Sequence, residues 1–156
     1  MAPDAATILI VDDEFLNRDL LQQELIEAGY RTLLAVKVVE AVTIAAKAHP
    51  DLILLDAMMD GLDGFATCER LKRAESTRGI PVIFLTALTD TDVKVRAFRV
   101  GAVDYVTKPF HTEELLARVG THISLRREIE DKDGGSIRSG SAQQAPPGYA
   151  DAVAET

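Results

Sequence analysis

Seven side chains able to do chemistry stand directly after short apolar runs in this sequence. Thr7-Ile8-Leu9-Ile10-Val11 leads into Asp12-Asp13-Glu14, and Leu52-Ile53-Leu54-Leu55 into Asp56. Pro81-Val82-Ile83-Phe84-Leu85 leads into Thr86, and Val103-Asp104-Tyr105-Val106 into Thr107-Lys108. If those runs are strands of one parallel sheet, their carboxyl ends form a single rim, the place where such sheets gather functional groups. Carboxylates crowded on a rim repel one another and raise each other's pKa unless a cation intervenes. Oxygen donors with room left for water suit Mg²⁺, which takes one or two protein carboxylates and keeps several waters. A carboxylate beside Mg²⁺ and a lysine can attack a phosphoryl group, because the cations neutralise charge on the equatorial oxygens. Any one acid taken alone is equally well explained as a helix cap or a strand end. The set, with Thr86 and Lys108 on the same rim, is what points to phosphoryl chemistry. No Gly-rich loop follows the first run, where Asp12-Asp13-Glu14-Phe15-Leu16-Asn17 stands instead, so a dinucleotide or P-loop site is disfavoured.

The runs are continuous rather than alternating, which suits strands buried on both faces. A weaker run, Thr32-Leu33-Leu34-Ala35-Val36, completes a set of five. Between them lie segments of helical period: Leu21, Leu25 and Ala28 ahead of Gly29, and Val93, Ala97 and Val100 ahead of Gly101. Thr112 is expected to cap the last helix, with Glu113 and Glu114 in its first turn and Leu116, Val119 and Ile123 as its buried stripe. The second helix, Val38 to Ala48, has the weakest signal, with no good N-cap and many β-branched residues. The order βαβαβαβαβα, with long connections, predicts right-handed crossovers and a doubly wound α/β domain, a five-stranded parallel sheet with helices on both faces. Cys68 falls at helical spacing with Phe65 and Leu71 and reads as a core residue, not a redox site. His49, His111 and His122 have no metal-ligand company and read as surface or packing residues.

The 156 residues suffice for one domain with a tail, and 47% hydrophobic with 27% charged residues is a soluble globular composition. The single cysteine excludes an intramolecular disulfide and argues against a Cys-based zinc site. Lys and Arg number 17 against 25 Asp and Glu, a net charge of -8, so direct nucleic-acid binding by this segment is not expected. No apolar run is long enough to span a membrane, and no basic stretch precedes one at the N-terminus, so the expected location is cytoplasmic. Residues 133–156 carry four Gly, three Ser and two Pro and too little apolar surface to offset their ordering entropy. They read as a flexible linker or tail.

In this order and spacing, several stretches resemble the receiver domain of bacterial two-component response regulators, the CheY-like superfamily, over residues 7 to about 127. They are Ile8 through Glu14, Asp51 through Asp56, Met59 through Asp63-Gly64-Phe65, Ile80 through Ala87, and Gly101 through Lys108-Pro109-Phe110. The resemblance implies a flavodoxin-like sheet of strand order 2-1-3-4-5. It makes residues 1–6 an N-terminal tail, 7–127 the receiver domain, and 128–156 a helix extension with a flexible linker or tail.

It also implies roles by position. Asp56 matches the phosphoacceptor, which takes its phosphoryl group from a phosphohistidine on a sensor histidine kinase or phosphotransfer protein. Asp12 and Asp13 match the acidic pair that holds Mg²⁺ together with Asp56 and the backbone carbonyl of Met58. Lys108 matches the cation that pairs with the phosphoryl oxygens, and its bond to Pro109 is expected to be cis. Thr86 and Tyr105 match a switch pair, the hydroxyl moving to the phosphoryl group and the ring turning inward. Lys94, Asp104, Glu114 and Arg118 match positions that pair across a two-fold interface in the winged-helix branch of the family. That implies a homodimer through the helix 4–strand 5–helix 5 face, with Lys94 meeting a second chain's Glu114, and Asp104 its Arg118. Such a regulator catalyses only its own phosphorylation and dephosphorylation. Asp60 departs from the family, which usually has Pro after the methionine at position 59, and Lys37-Val38-Val39 replaces the usual small or polar start of the second helix. Two other readings stay open on sequence: a receiver-like adaptor working without phosphorylation, and a phosphatase of the haloacid dehalogenase type. The latter needs a second acid two residues after its nucleophile, where this chain has Met58.

Overall fold

The computed structural model describes residues 5–59, 62–87 and 91–136. In chain order the elements are β1 (Thr7–Val11), α1 (Phe15–Glu27), β2 (Arg31–Ala35), α2 (Val38–Ala48), β3 (Leu52–Asp56), β4 (Met58–Met59) and β5 (Leu62–Asp63). They continue with α3 (Gly64–Arg73), β6 (Val82–Thr86), α4 (Thr91–Arg99), β7 (Asp104–Thr107) and α5 (Thr112–Ser136). Five strands pair in parallel in the order β2-β1-β3-β6-β7, while β4 and β5 form a small antiparallel ladder apart from that sheet. The main-sheet order is the one predicted.

The strands' two-residue period assigns their side chains to two cores. Leu9, Val11, Ile53, Leu55, Val82 and Phe84 project to one face, covered by Ala41 and Ala45 of α2, Phe65, Cys68 and Leu71 of α3, and Ala97 of α4. Ile8, Ile10, Leu52, Leu54, Ile83 and Leu85 project to the other, covered by Leu21 and Leu25 of α1 and Leu115, Val119 and Ile123 of α5. Every residue of β3 and β6 is buried, which is why those runs are apolar without alternation. α1 ends at Gly29, whose φ of 102° suits a residue without a Cβ, and the Tyr30 N–H closes back on the Leu25 carbonyl.

Some local expectations shift. The buried stripe of α5 is Leu115, Val119 and Ile123, with Leu116 only partly buried. Thr112 is already helical and the Leu115 N–H bonds to the His111 carbonyl, so the N-cap position is His111. A strictly i, i+4 stripe turns the helix by one residue against the reading from Leu116. Ala6, ahead of the first strand, is buried and its carbonyl accepts the Arg31 N–H. His49 ends α2 in the left-handed conformation, at φ 49°. Among the described residues no helix is long and apolar enough to cross a membrane. Most of the linker or tail read from 133 onward lies outside the described residues.

Candidate functional site

Strand register puts the acids together. Val11 pairs with Leu55, so Asp12 and Asp56 are the next neighbours at the carboxyl ends of β1 and β3. Asp56 pairs with Leu85 and Thr86 with Thr107, which brings the ends of β6 and β7 to the same rim. The ladder reaches one step further, the Lys108 N–H donating to the Thr86 carbonyl at 2.8 Å, and the Lys108–Pro109 bond is cis. Lys108 Nζ lies 3.2 Å from Asp56 Oδ2 and 3.3 Å from Asp12 Oδ2. Asp12 and Asp56 are buried, at 1% and 8% exposure, and Asp13 is exposed.

Carboxylate oxygens of Asp12, Asp13 and Asp56 all lie within 4.8 Å of one another. Three carboxylates against one ammonium leave the cluster at a formal -2, from -3 and +1, matching a divalent cation. The donors are all hard oxygens, with no nitrogen or sulfur ligand in the group, which fits Mg²⁺ and not a thiophilic metal. Burial alone would lower the Lys108 pKa; the charges of Asp12 and Asp56, with their hydrogen bonds, outweigh it and hold the amine above its ordinary range. The lysine is therefore a fixed cation between two acids. Asp12 also has a local role, since its Oδ1 accepts the Glu14 N–H at 2.9 Å and shapes the entry to α1. That bond goes to Glu14, the N-cap residue of α1, which itself has no side-chain cap, so Asp12 shapes the turn before the helix with one oxygen while the other faces Lys108.

Thr86 closes β6 and is buried, and Tyr105, which pairs across from Phe84, is buried as well. Met58 follows in β4, opposite Asp63. Cys68 is buried with Sγ 3.4 Å from the Val100 carbonyl, and burial pushes its pKa up to about 11, as suits a packing residue.

Asp104 of β7 and Glu114 and Arg118 of α5 find charged partners within the chain. Arg118 Nη1 donates to both carboxylate oxygens of Asp104, at 2.8 and 3.0 Å, and Arg118 also bonds Glu114 at 3.3 Å. His122 Nε2 lies 3.0 Å from Asp104 Oδ2, and the Tyr105 N–H donates to Asp104 Oδ1 at 2.8 Å. His122 is therefore more than the surface or packing residue expected; its place four positions after Arg118, on the same helix face, is the sequence signal for it. Burial would raise the Asp104 pKa, but the bonds from the Tyr105 N–H, Arg118 and His122 prevail and lower it. A carboxyl with a depressed folded pKa stabilises the fold above its ordinary range, and that contribution is lost as pH falls through the folded value. Asp104→Asn is expected to cost on the order of 1 kcal/mol at neutral pH. The gap between variant and wild type should close in acid, as followed by denaturant melts at several pH values. A gap independent of pH would mean that Asp104 acts by shape and not by charge.

The family model of the response regulator receiver domain matches residues 8–120. A DNA-binding dual master transcriptional regulator, RpaA of Synechocystis sp., is 47% identical over 112 residues, covering 72% of this chain and 46% of that protein. The phosphate regulon transcriptional regulatory protein PhoB of Pseudomonas aeruginosa is 47% identical over 113 residues, covering 72% of this chain and 49% of that protein. The chain thus spans about half the length of these curated relatives. Among solved structures, the receiver domain of a sensor histidine kinase from Pseudomonas aeruginosa, with a magnesium ion coordinated in its active site cleft, is 30% identical. It superposes with a TM-score of 0.71 over 77% of this chain and 98% of that one.

Proposed function

Since this chain belongs to the response regulator receiver family, whose model spans most of its length, we propose that it is the phosphoacceptor switch of a two-component phosphorelay, with Asp56 as acceptor. The observation that carries the reading is Lys108, bridging Asp12 and Asp56 inside a three-carboxylate cluster. An Asp56 carboxylate oxygen attacks the phosphorus of a phosphohistidine. The O–P bond forms as the N–P bond breaks, and the imidazole leaves with that electron pair. Lys108 is placed to follow the transferred oxygens, since Asp56 Oδ2 is already its partner. Asp12, Asp13, Asp56 and the backbone carbonyl of Met58 are the residues assigned to hold Mg²⁺, which when bound neutralises the charge gathering on the phosphoryl oxygens. Thr86 then takes a phosphoryl oxygen as hydrogen-bond acceptor, and Tyr105 reports the change to the outer face. The donor is a sensor histidine kinase or phosphotransfer protein. Phe15 and Leu16, exposed at 65% and 71% beside the rim, offer it an apolar docking surface on α1. Acetyl phosphate with Mg²⁺ should label the protein to near one equivalent, and the label should be removed by hydroxylamine as an acyl phosphate is. No labelling with Mg²⁺ present would leave the adaptor reading in its place.

We place the receiver unit at residues 7–127 and the helix extension and linker at 128–156. Phosphorylation is proposed to favour a homodimer through α4, β7 and α5. Because Asp104 and Arg118 pair within one chain, their pairing across a two-fold axis is an exchange of partners with little net electrostatic gain. The dimer should therefore be weak until phosphorylated. Sedimentation with beryllofluoride is expected to show dimer for the wild type and monomer for Arg118→Glu; an intact Arg118→Glu dimer would move the interface elsewhere.

A further inference from the structure

The flanks of α4 are held by two cations over two aromatic rings. Lys94 and Arg96 are two residues apart, about 200° around a helix, so they leave α4 on opposite sides. Between them Ala97 turns to the core and is fully buried. On one flank Lys94 Nζ lies 5.8 Å from the centroid of the Tyr105 ring. On the other, the Arg96 guanidinium lies 4.4 Å from the centroid of Phe65.

The two rings are joined beneath the helix. Phe65 and Phe84 have centroids 5.0 Å apart, and Phe84 is the cross-strand partner of Tyr105. Phe65 is in turn fixed to the acceptor loop, since it follows Gly64, whose N–H donates to the Ala57 carbonyl at 2.9 Å, one residue after Asp56. A packed path therefore runs from the backbone behind Asp56, through Phe65, to both flanks of α4.

We infer that Arg96 is a positioning residue of the switch: stacked on Phe65, it holds α4 where the buried Tyr105 ring and Lys94 also hold it. The inference rests on Asp56 being the phosphoacceptor, and it adds a second attachment of α4, to the acceptor loop's own side of the fold. An attachment that favours the inward Tyr105 state must also favour the phosphoryl mimic, because coupling between two sites is reciprocal. Losing it weakens the mimic and loosens α4 without touching the groups assigned to Mg²⁺.

The test is a double-mutant cycle with Arg96→Met and Phe65→Leu, read by beryllofluoride affinity, Mg²⁺ affinity and amide hydrogen exchange across α4. Arg96→Met should lower beryllofluoride affinity about threefold, the size expected of one cation–π contact. It should speed exchange in α4 relative to β1 and β3 and leave Mg²⁺ affinity unchanged. Arg96→Lys should restore most of both effects, and in the Phe65→Leu background Arg96→Met should have a clearly smaller effect. An unchanged α4 exchange in Arg96→Met, or an equal effect with and without the Phe65 ring, overturns the inference. If the wild type binds no beryllofluoride, the phosphoacceptor reading fails, while α4 exchange still decides whether Arg96 holds the helix.

Discussion

Lys108→Met is expected to cost the metal-free protein about 2 kcal/mol or more and to reduce phosphorylation by at least ~100-fold. The stability loss follows from burial. Asp12 and Asp56 each have Oδ2 on the same ammonium, and removing it leaves two buried carboxylates facing each other without a cation. Breaking a buried pair from one side costs more than the pair contributes, because the remaining charge is still dehydrated. Mg²⁺ should restore much of the lost stability, since a ligand that binds only the folded state stabilises it in proportion to its affinity. It should not restore phosphorylation, for which the lysine itself must meet the transferred oxygens. Urea melts with and without Mg²⁺ give the first quantity, and acetyl phosphate labelling gives the second. A metal-free variant as stable as wild type would mean that the acids are hydrated and the ion pairs inconsequential.

Gly64→Ala should be nearly as damaging, by a different route. A Cβ there would stand 2.6 Å from the Asp56 carbonyl oxygen and 2.7 Å from Ala57 Cα, both backbone atoms that no rotamer change can move. The chain behind the acceptor must shift, at about 2 to 3 kcal/mol for overpacking of this kind. The Asp56 carboxylate then moves off the Lys108 ammonium, so labelling should fall along with stability. Gly79→Ala is the control, since a Cβ there meets nothing within 4 Å and its effect should be small. Equal melting temperatures for the two variants would show that the acceptor loop yields freely, and that Gly64 does not position Asp56.

The fold and the rim are legible in the sequence because both follow from short-range rules. Continuous apolar runs mark strands buried on both faces, and whatever residue ends such a run must stand on the rim. Asp12, Asp56, Thr86 and Lys108 are placed by that rule alone, through the registers of β1, β3, β6 and β7. What cannot be read depends on side chains meeting across elements. Nothing in the spacing announces that Arg96 lies over Phe65, and the i, i+4 spacing of Arg118 and His122 sets them on one helix face without announcing that Asp104 of the same chain meets both. The homodimer expectation assigns Asp104 and Arg118 to different chains; the sequence holds the charges but not the rotamers that choose between the two pairings. The tight approach of Gly64 to Asp56 is equally hidden, because it depends on where the backbone of Asp56 and Ala57 lies behind the glycine.

The most direct test of the central claim is to locate the phosphoryl group chemically. Protein labelled by acetyl phosphate in Mg²⁺ is reduced with borohydride, which converts an aspartyl phosphate to homoserine, and the product is mapped by peptide mass spectrometry. The expected result is homoserine at position 56 alone, absent when Mg²⁺ is chelated and absent in Asp56→Asn. Homoserine at Asp12 or Asp13, or a wild-type protein with none at position 56, would contradict the assignment of Asp56 as the acceptor.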